Sequence, residues 1–235
     1  MSTLLLRLAA PLQSWGYNSR MEVRGTSREP TKSGIVGLVS SALGRSRNDP
    51  IDDISSLRFG VRVDQPGSYM TDYQTAHHPN DSRKSYVTHR AYLSDAVFLV
   101  GLEGDCQFLE ELDVALRNPH YPLFLGRRSC PPSGKLSLGI REMSLEDSLT
   151  SEPWLASTWY RRRQPPEVVL EMITDSQSET TEFANDNPLS FSQDNRRFGV
   201  RGINRSVDSI KFDNPESSRY EPPTCHDAFS QLKGV

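Results

Sequence analysis

Pro30-Thr31-Lys32-Ser33-Gly34-Ile35-Val36-Gly37-Leu38-Val39-Ser40-Ser41-Ala42-Leu43-Gly44 places apolar residues at 35, 38, 39, 42 and 43. That i, i+3, i+4, i+7, i+8 stripe predicts a helix over about Ser33–Leu43 with one buried face. Thr31 or Ser33 can cap its start, and Gly44 suits the left-handed position after its end. Upstream, Leu4, Leu6 and Leu8 alternate with Leu5, Arg7 and Ala9, which reads as a strand. Between strand and helix, Ala10–Glu29 is far longer than the usual connection of about 2–6 residues. It holds Gln13-Ser14-Trp15-Gly16 and the cations Arg20, Arg24 and Arg28. A core-forming strand and helix thus flank a basic, aromatic loop.

Working outward, Leu57, Phe59, Val61 and Val63 alternate with Arg58, Gly60 and Arg62, a strand with an apolar and a basic face. Ala96–Leu102 is a third strand. Asp105 caps a helix with Phe108, Leu109, Leu112, Ala115 and Leu116 on one side, and Leu136, Leu138 and Ile140 form a fourth strand. The order β-α-β-β-α-β is that of an α+β, ferredoxin-like split βαβ unit over residues 1–145. Two helices cover one sheet face, and Arg7, Arg58 and Arg62 share the other. The segment 64–95 exceeds any tight hairpin. Tyr69–Thr75 and Tyr86–Tyr92 read as strands of an extended arm whose Tyr73, His77, His78, Tyr86, His89 and Arg90 have no core to enter and so reach for a partner. Residues 146–235 read as a smaller β-rich region packing over part of the open face. Within it, Thr174–Asn187 is polar, acidic and expected to be a mobile loop, and a loose tail starts at Asn214.

With 235 residues and a net charge of −3, the chain can bury a real core and is not basic throughout. Residues 1–145 carry 17 Lys and Arg against 15 Asp and Glu; residues 146–235 carry 10 against 15. The 22 Arg outnumber 5 Lys, a bias that suits planar recognition of phosphate but also follows from base composition. Cys106, Cys130 and Cys225 are odd in number and far apart, so neither a disulfide framework nor zinc spacing is present. The N-terminal apolar run is broken by Arg7 and Pro11, which argues against a signal peptide or membrane span and for a reducing, cytoplasmic location. No nucleotide loop, metal-ligand spacing or carboxylate cluster is found, so no cofactor and no metal are expected.

Four segments together resemble a known family: Leu5–Gly16, Pro30–Leu38, Phe124-Leu125-Gly126-Arg127-Arg128-Ser129-Cys130-Pro131, and Arg196-Arg197-Phe198-Gly199-Val200-Arg201. They are similar to the CasD family, the fifth Cas protein family of the RAMP superfamily, from the type I-E CRISPR Cascade complex. The resemblance runs with gaps from Leu4 to Arg205. It implies a RAMP-type ferredoxin-like domain, an arm called the thumb, and a non-catalytic subunit. That subunit grips the 5′ handle of the CRISPR RNA beside the backbone subunit CasC and the large subunit CasA. Target DNA is then met only through the assembled complex, by base pairing with the guide.

On that reading Gln13, Ser14, Trp15, Arg20, Arg24, Lys32, Ser33 and Gly34 form an RNA-binding loop and helix start, where backbone N–H groups and cations suit a phosphate. Trp15 either stacks on a base or packs half-buried. Gly126, Arg127 and Arg128 offer a close backbone approach and two guanidiniums, and Arg196, Arg197 and Arg201 add a third cluster. Arg161–Arg163 reads as a solvated run or a protein contact. The alternative function is metal-independent endoribonuclease action on CRISPR repeat RNA, with Tyr86, His89 and Lys84 moving protons. In type I-E systems a separate subunit, CasE, does that work.

Overall fold

A computed structural model describes residues 1–16, 22–78, 81–178, 180 and 182–218, and, among these, not the side chains of 78, 81–84 and 207–209. In chain order the elements are β1 (Ser2–Ala9), β2 (Leu12–Gln13), β3 (Val23–Arg24), α1 (Lys32–Ala42), α2 (Asp52–Ser55), β4 (Arg58–Gln65), β5 (Ser68–His78) and β6 (Asp81–Ser94). There follow β7 (Val97–Gly104), α3 (Cys106–Arg117), β8 (Ser137–Arg141), α4 (Leu145–Ser151), α5 (Thr158–Arg161), β9 (Glu167–Asp175), β10 (Glu182–Ser190) and β11 (Arg197–Asp213).

One seven-stranded sheet runs β10-β11-β9-β4-β7-β1-β8. Each neighbouring pair is antiparallel. Strand alternation sorts its side chains into two cores. Leu4, Leu6, Leu8, Phe98, Val100 and Leu102 face α1 and α3, joining Ile35, Val39, Leu109 and Leu112. Leu5 and Leu99 face the other way, against Leu145, Leu149 and Trp154. Each fully buried Leu, Ile or Phe contributes about 1.5–3 kcal/mol, so the stripes on α1 and α3 suffice to hold them to the sheet. Thr31 Oγ1 accepts from the Gly34 N–H at 3.2 Å and caps α1, and Gly44 ends the turn at φ +77°.

Four expectations need correction. The β-rich C-terminal strands do not lie over the first four; β9 pairs with β4 and extends the same sheet. The face they were to cover is closed by α4, Trp154 and Ala156. That face is not an open basic surface. Arg58 pairs with Glu103 at 2.9 Å and with Glu146, while Arg62 is wholly buried. The polar run Thr174–Asn187 contributes to β9 and β10, because its carboxylates are taken up by cations of α1 and β11. Of the expected loose tail, residues 214–218 are hydrogen-bonded to 162–166, with Asn214 N donating to Pro166 O at 2.6 Å and Ser218 N to Arg162 O at 3.0 Å.

The arm is the ribbon β5–β6, paired from Ser68↔Ser94 to His78↔Asp81. The long loop before α1 fixes its base: β2 pairs with Ser94 and Leu93, and β3 runs parallel beside His89 and Arg90.

Candidate nucleic-acid interface

The Gln13–Trp15 segment turns inward. Gln13 Nε2 donates to Ala96 O at 2.8 Å and to Leu8 O at 3.2 Å, and its Oε1 accepts from Trp15 Nε1 at 3.1 Å. Ser14 Oγ donates to Ala91 O at 3.1 Å. Trp15 is 1% exposed and packs over α1, where a Cβ on Gly34 would lie 2.8 Å from its ring. These three residues pin the arm and helix to the sheet, and Trp15 has no free face for a base. Gly126 answers the same segment. At φ +87° its missing Cβ would stand 1.6 Å from Ser14 O, so the close backbone approach it permits is to this chain's own loop.

Lys32 and Arg201 are also drawn inward. Lys32 Nζ pairs with Asp175 at 2.9 Å, and its backbone N–H donates to Asp186 Oδ2 at 2.8 Å. Arg201 Nε holds Asp186 Oδ1 and its Nη1 holds Asp175 Oδ1, each at 2.6 Å. Burial alone would weaken the Arg201 charge; the two carboxylates reverse that and hold its pKa above the ordinary value. The N-terminus of α1 therefore already carries an anion, Asp186, so the phosphate expected there meets an occupied site.

The other expected cations remain outside. Arg128, Arg196 and Arg197 are exposed and pair with no acid among the described residues. Arg196 lies over Phe198 at 5.1 Å. Arg127 is half-buried, donating to Arg24 O at 3.0 Å and lying 4.5 Å over the Tyr92 ring, with Nη1 unpartnered. Arg24 itself is exposed on β3. Arg20 lies outside the described residues, as do the His78 and Lys84 side chains.

Of these outer groups, Arg196 lines a groove of about 520 Å³ along α1. Ser33, Gly34 and Gly37 of α1 line it together with Phe124 and Gly126 and with Phe191 and Arg196. Arg45 and Arg47 also line it, a pair the sequence reading missed. Arg45 is bound to Asp53, but Arg47 is exposed and without an acid among the described residues. They reach the groove because His120 N donates to Ala42 O at 2.9 Å and Tyr121 N to Ser41 O at 3.3 Å, laying the 120–126 loop along the helix end. No periodicity announces that contact.

On the arm, Tyr73 and His89 are exposed cross-strand neighbours with rings edge-on at 5.3 Å. Tyr86 and His77 are also exposed, and Arg90 Nε is buried without a partner. Tyr86 and His89 are three apart on β6, so they project from opposite faces of the ribbon. Among the described residues no three His, Cys, Asp or Glu gather as a metal site, and no helix is long and apolar enough to cross a membrane.

Comparison with known families places this geometry. A model described as "CRISPR-associated protein (Cas_Cas5)" matches residues 3–203. This chain belongs to that Cas5 family. Within the family it is similar to the CRISPR system Cascade subunit CasD of Escherichia coli (strain K12), with 35% identity over 163 residues, 61% of this chain and 73% of that protein. A solved Cas protein is 38% identical with a TM-score of 0.71, covering 94% of this chain and all of the other. A chain of a CRISPR RNA-guided surveillance complex is 31% identical with a TM-score of 0.74, covering 89% and 91%. The mixed, β-rich α+β architecture of this Cas5 chain is thus that of solved Cas proteins.

Proposed function

We propose that this chain is a non-catalytic, CRISPR RNA-binding subunit of a cytoplasmic type I-E Cascade complex that grips the 5′ handle in the α1 groove. The carrying observation is the groove itself. Ser33, Gly34 and Gly37 of α1 line it with little side chain, and Arg47 and Arg196 line it without acidic partners among the described residues; the exposed Arg197 adjoins Arg196 in sequence, and Arg128 follows the lining Gly126 by two residues. Planar guanidiniums and a close-approach floor suit a single strand held by its phosphates. The ferredoxin-like RAMP reading has its support in the order β8-β1-β7-β4, with α1 and α3 on one face. The β5–β6 arm is the thumb on this reading, and its exposed Tyr73, His77, Tyr86 and His89 engage neighbours such as CasC and CasA rather than the reacting atoms of RNA. Tyr86 and His89 on opposite ribbon faces weigh against the endoribonuclease alternative, since acid and base must meet one phosphate.

The test incubates the purified chain with labelled repeat RNA in excess chelator at low and moderate salt. Salt-sensitive retention of intact RNA is the expected result. A discrete cut that persists in chelator, and is lost in Tyr86→Phe or His89→Ala, would replace this reading with the nuclease. Removing residues 76–90 is expected to disturb complex assembly more than handle affinity; normal assembly of that variant would count against the thumb's part.

A further inference from the structure

One strongly cationic motif belongs to neither the groove nor the arm: Trp159-Tyr160-Arg161-Arg162-Arg163, on α5 and the turn after it. It packs on the α4 side of the sheet, the face opposite α1, because Tyr160 adjoins the core built on Leu145, Leu149 and Trp154.

Its parts have divided roles. Arg161 is a strut: Nε donates to Ala156 O at 2.8 Å, Nη1 pairs with Glu216 at 3.2 Å, and the guanidinium lies 5.8 Å from the Trp154 ring. Trp154 is in turn tied by Nε1 to Asp64 O at 2.8 Å. Tyr160 meets Trp154 edge-on at 6.3 Å and Trp159 at 5.9 Å, which holds the outer indole at a set angle. Trp159 is 47% exposed, whereas Trp15 and Trp154 are 1% and 7%. Arg163 lies 5.5 Å over its ring. Arg162 and Arg163 are exposed and pair with no acid among the described residues. Glu152, Glu167 and Glu216 are engaged by Arg141, Lys211 and Arg161.

We propose that Trp159, Arg162 and Arg163 form a second nucleic-acid contact, which takes a single strand by two phosphates and stacks one base on the indole. Two uncompensated guanidiniums suit phosphate oxygens, and an anchored, half-open indole suits any base. An acidic peptide would answer the charges but leave the indole face without a use. The contact goes beyond the handle-binding reading: it lies on the other side of the sheet, and its residues can be changed without touching the groove.

The full chain carrying Arg47→Ala, Arg128→Ala, Arg196→Ala and Arg197→Ala, which removes the exposed arginines proposed for the groove, is titrated with a short oligo-U, a short oligo-dT and polyglutamate while tryptophan emission is followed. Since the other two tryptophans are buried, quenching reports Trp159. Saturable quenching by either oligonucleotide is expected, and a preference for U or dT assigns the strand to RNA or DNA. Adding Arg162→Ala and Arg163→Ala should weaken binding roughly tenfold, and lower the log–log salt slope by about 1.4, or 0.7 per phosphate. Trp159→Ala, read with a labelled oligonucleotide, should weaken it several-fold. Absence of quenching, equal quenching by polyglutamate, or indifference to the arginine changes would overturn the proposal. The groove reading is scored apart from this: Arg162→Ala/Arg163→Ala in the otherwise native chain should leave retention of handle RNA within about twofold.

Discussion

Lys32, Arg62 and Arg201 are as cationic as Arg128, Arg196 and Arg197, and the two sets do opposite things. Arg62 is enclosed with Asp64, Nε to Oδ1 at 2.7 Å and Nη2 to Oδ2 at 2.9 Å. Its remaining N–H groups cap the end of α4 at Leu149 O, Glu152 O and Pro153 O. Asp64 Oδ2 also accepts from Leu155 N at 2.6 Å. One ion pair thus fastens segment 149–155 to β4 and closes the second sheet face. Lys32 and Arg201 alternate with Asp175 and Asp186 and fasten the β10–β11 hairpin to α1. The outer arginines have no such carboxylates among the described residues. What separates the structural cations from the arginines proposed to bind RNA is an acid of this chain within reach, not residue type or local charge density.

The sharpest way to break that contrast is Asp64→Ala, which leaves the Arg62 guanidinium buried and unpaired. Loss of about 3–5 kcal/mol is expected in a urea titration. Burial pushes the Asp64 carboxyl up and Arg62 opposes it, so the cost depends on the pair being kept whole. Asp186→Ala should cost less, roughly 1.5–3 kcal/mol, because Arg201 keeps Asp175 while the α1 N-terminus loses its anion. A loss near zero in either would mean that these pairs are not what holds the elements together.

Acid should act more gently. Burial, the largest single influence, would raise the Glu146 carboxyl, but the Arg58 hydrogen bond, the backbone N–H and the Arg58 charge together outweigh it and hold the group below its ordinary 4.5. A depressed carboxyl stabilises the fold above its unfolded value and loses that contribution as pH falls through the folded one. Thermal stability should therefore decline as pH drops below about 4.5, and Glu146→Gln should flatten part of that decline. The smallest stability effect belongs to the outer set: Arg128→Ala with Arg196→Ala and Arg197→Ala should stay within about 0.5 kcal/mol per site.

The sequence made the scaffold legible through period. Ile35, Leu38, Val39 and Ala42 lie in the core beneath α1, and Phe108, Leu109 and Leu112 do the same for α3. The arm was legible because Tyr69–Thr75 and Tyr86–Tyr92 alternate around a turn-rich middle with no core to enter. What stayed hidden was pairing over long sequence distance. Asp175 and Asp186 lie 143 and 154 residues beyond Lys32, in a run whose acidity resembles that of a solvated loop. Without those partners Lys32 reads as a phosphate ligand. Trp15 likewise follows a loop signature that fits either a platform or a buried plug, and only the neighbouring Gly34 decides it. Arg47 was missed because its place at the groove depends on the 120–126 loop returning to the end of α1.

The most direct test of the central claim measures handle-RNA affinity across salt for the native chain and for Arg128→Ala/Arg196→Ala/Arg197→Ala, with urea stability taken on the same samples. Unchanged stability, weaker binding, and a log–log salt slope reduced by about 0.7 for each phosphate contact removed are expected. Unaltered affinity and slope in a fully folded triple variant would contradict it and move RNA binding away from the α1 groove.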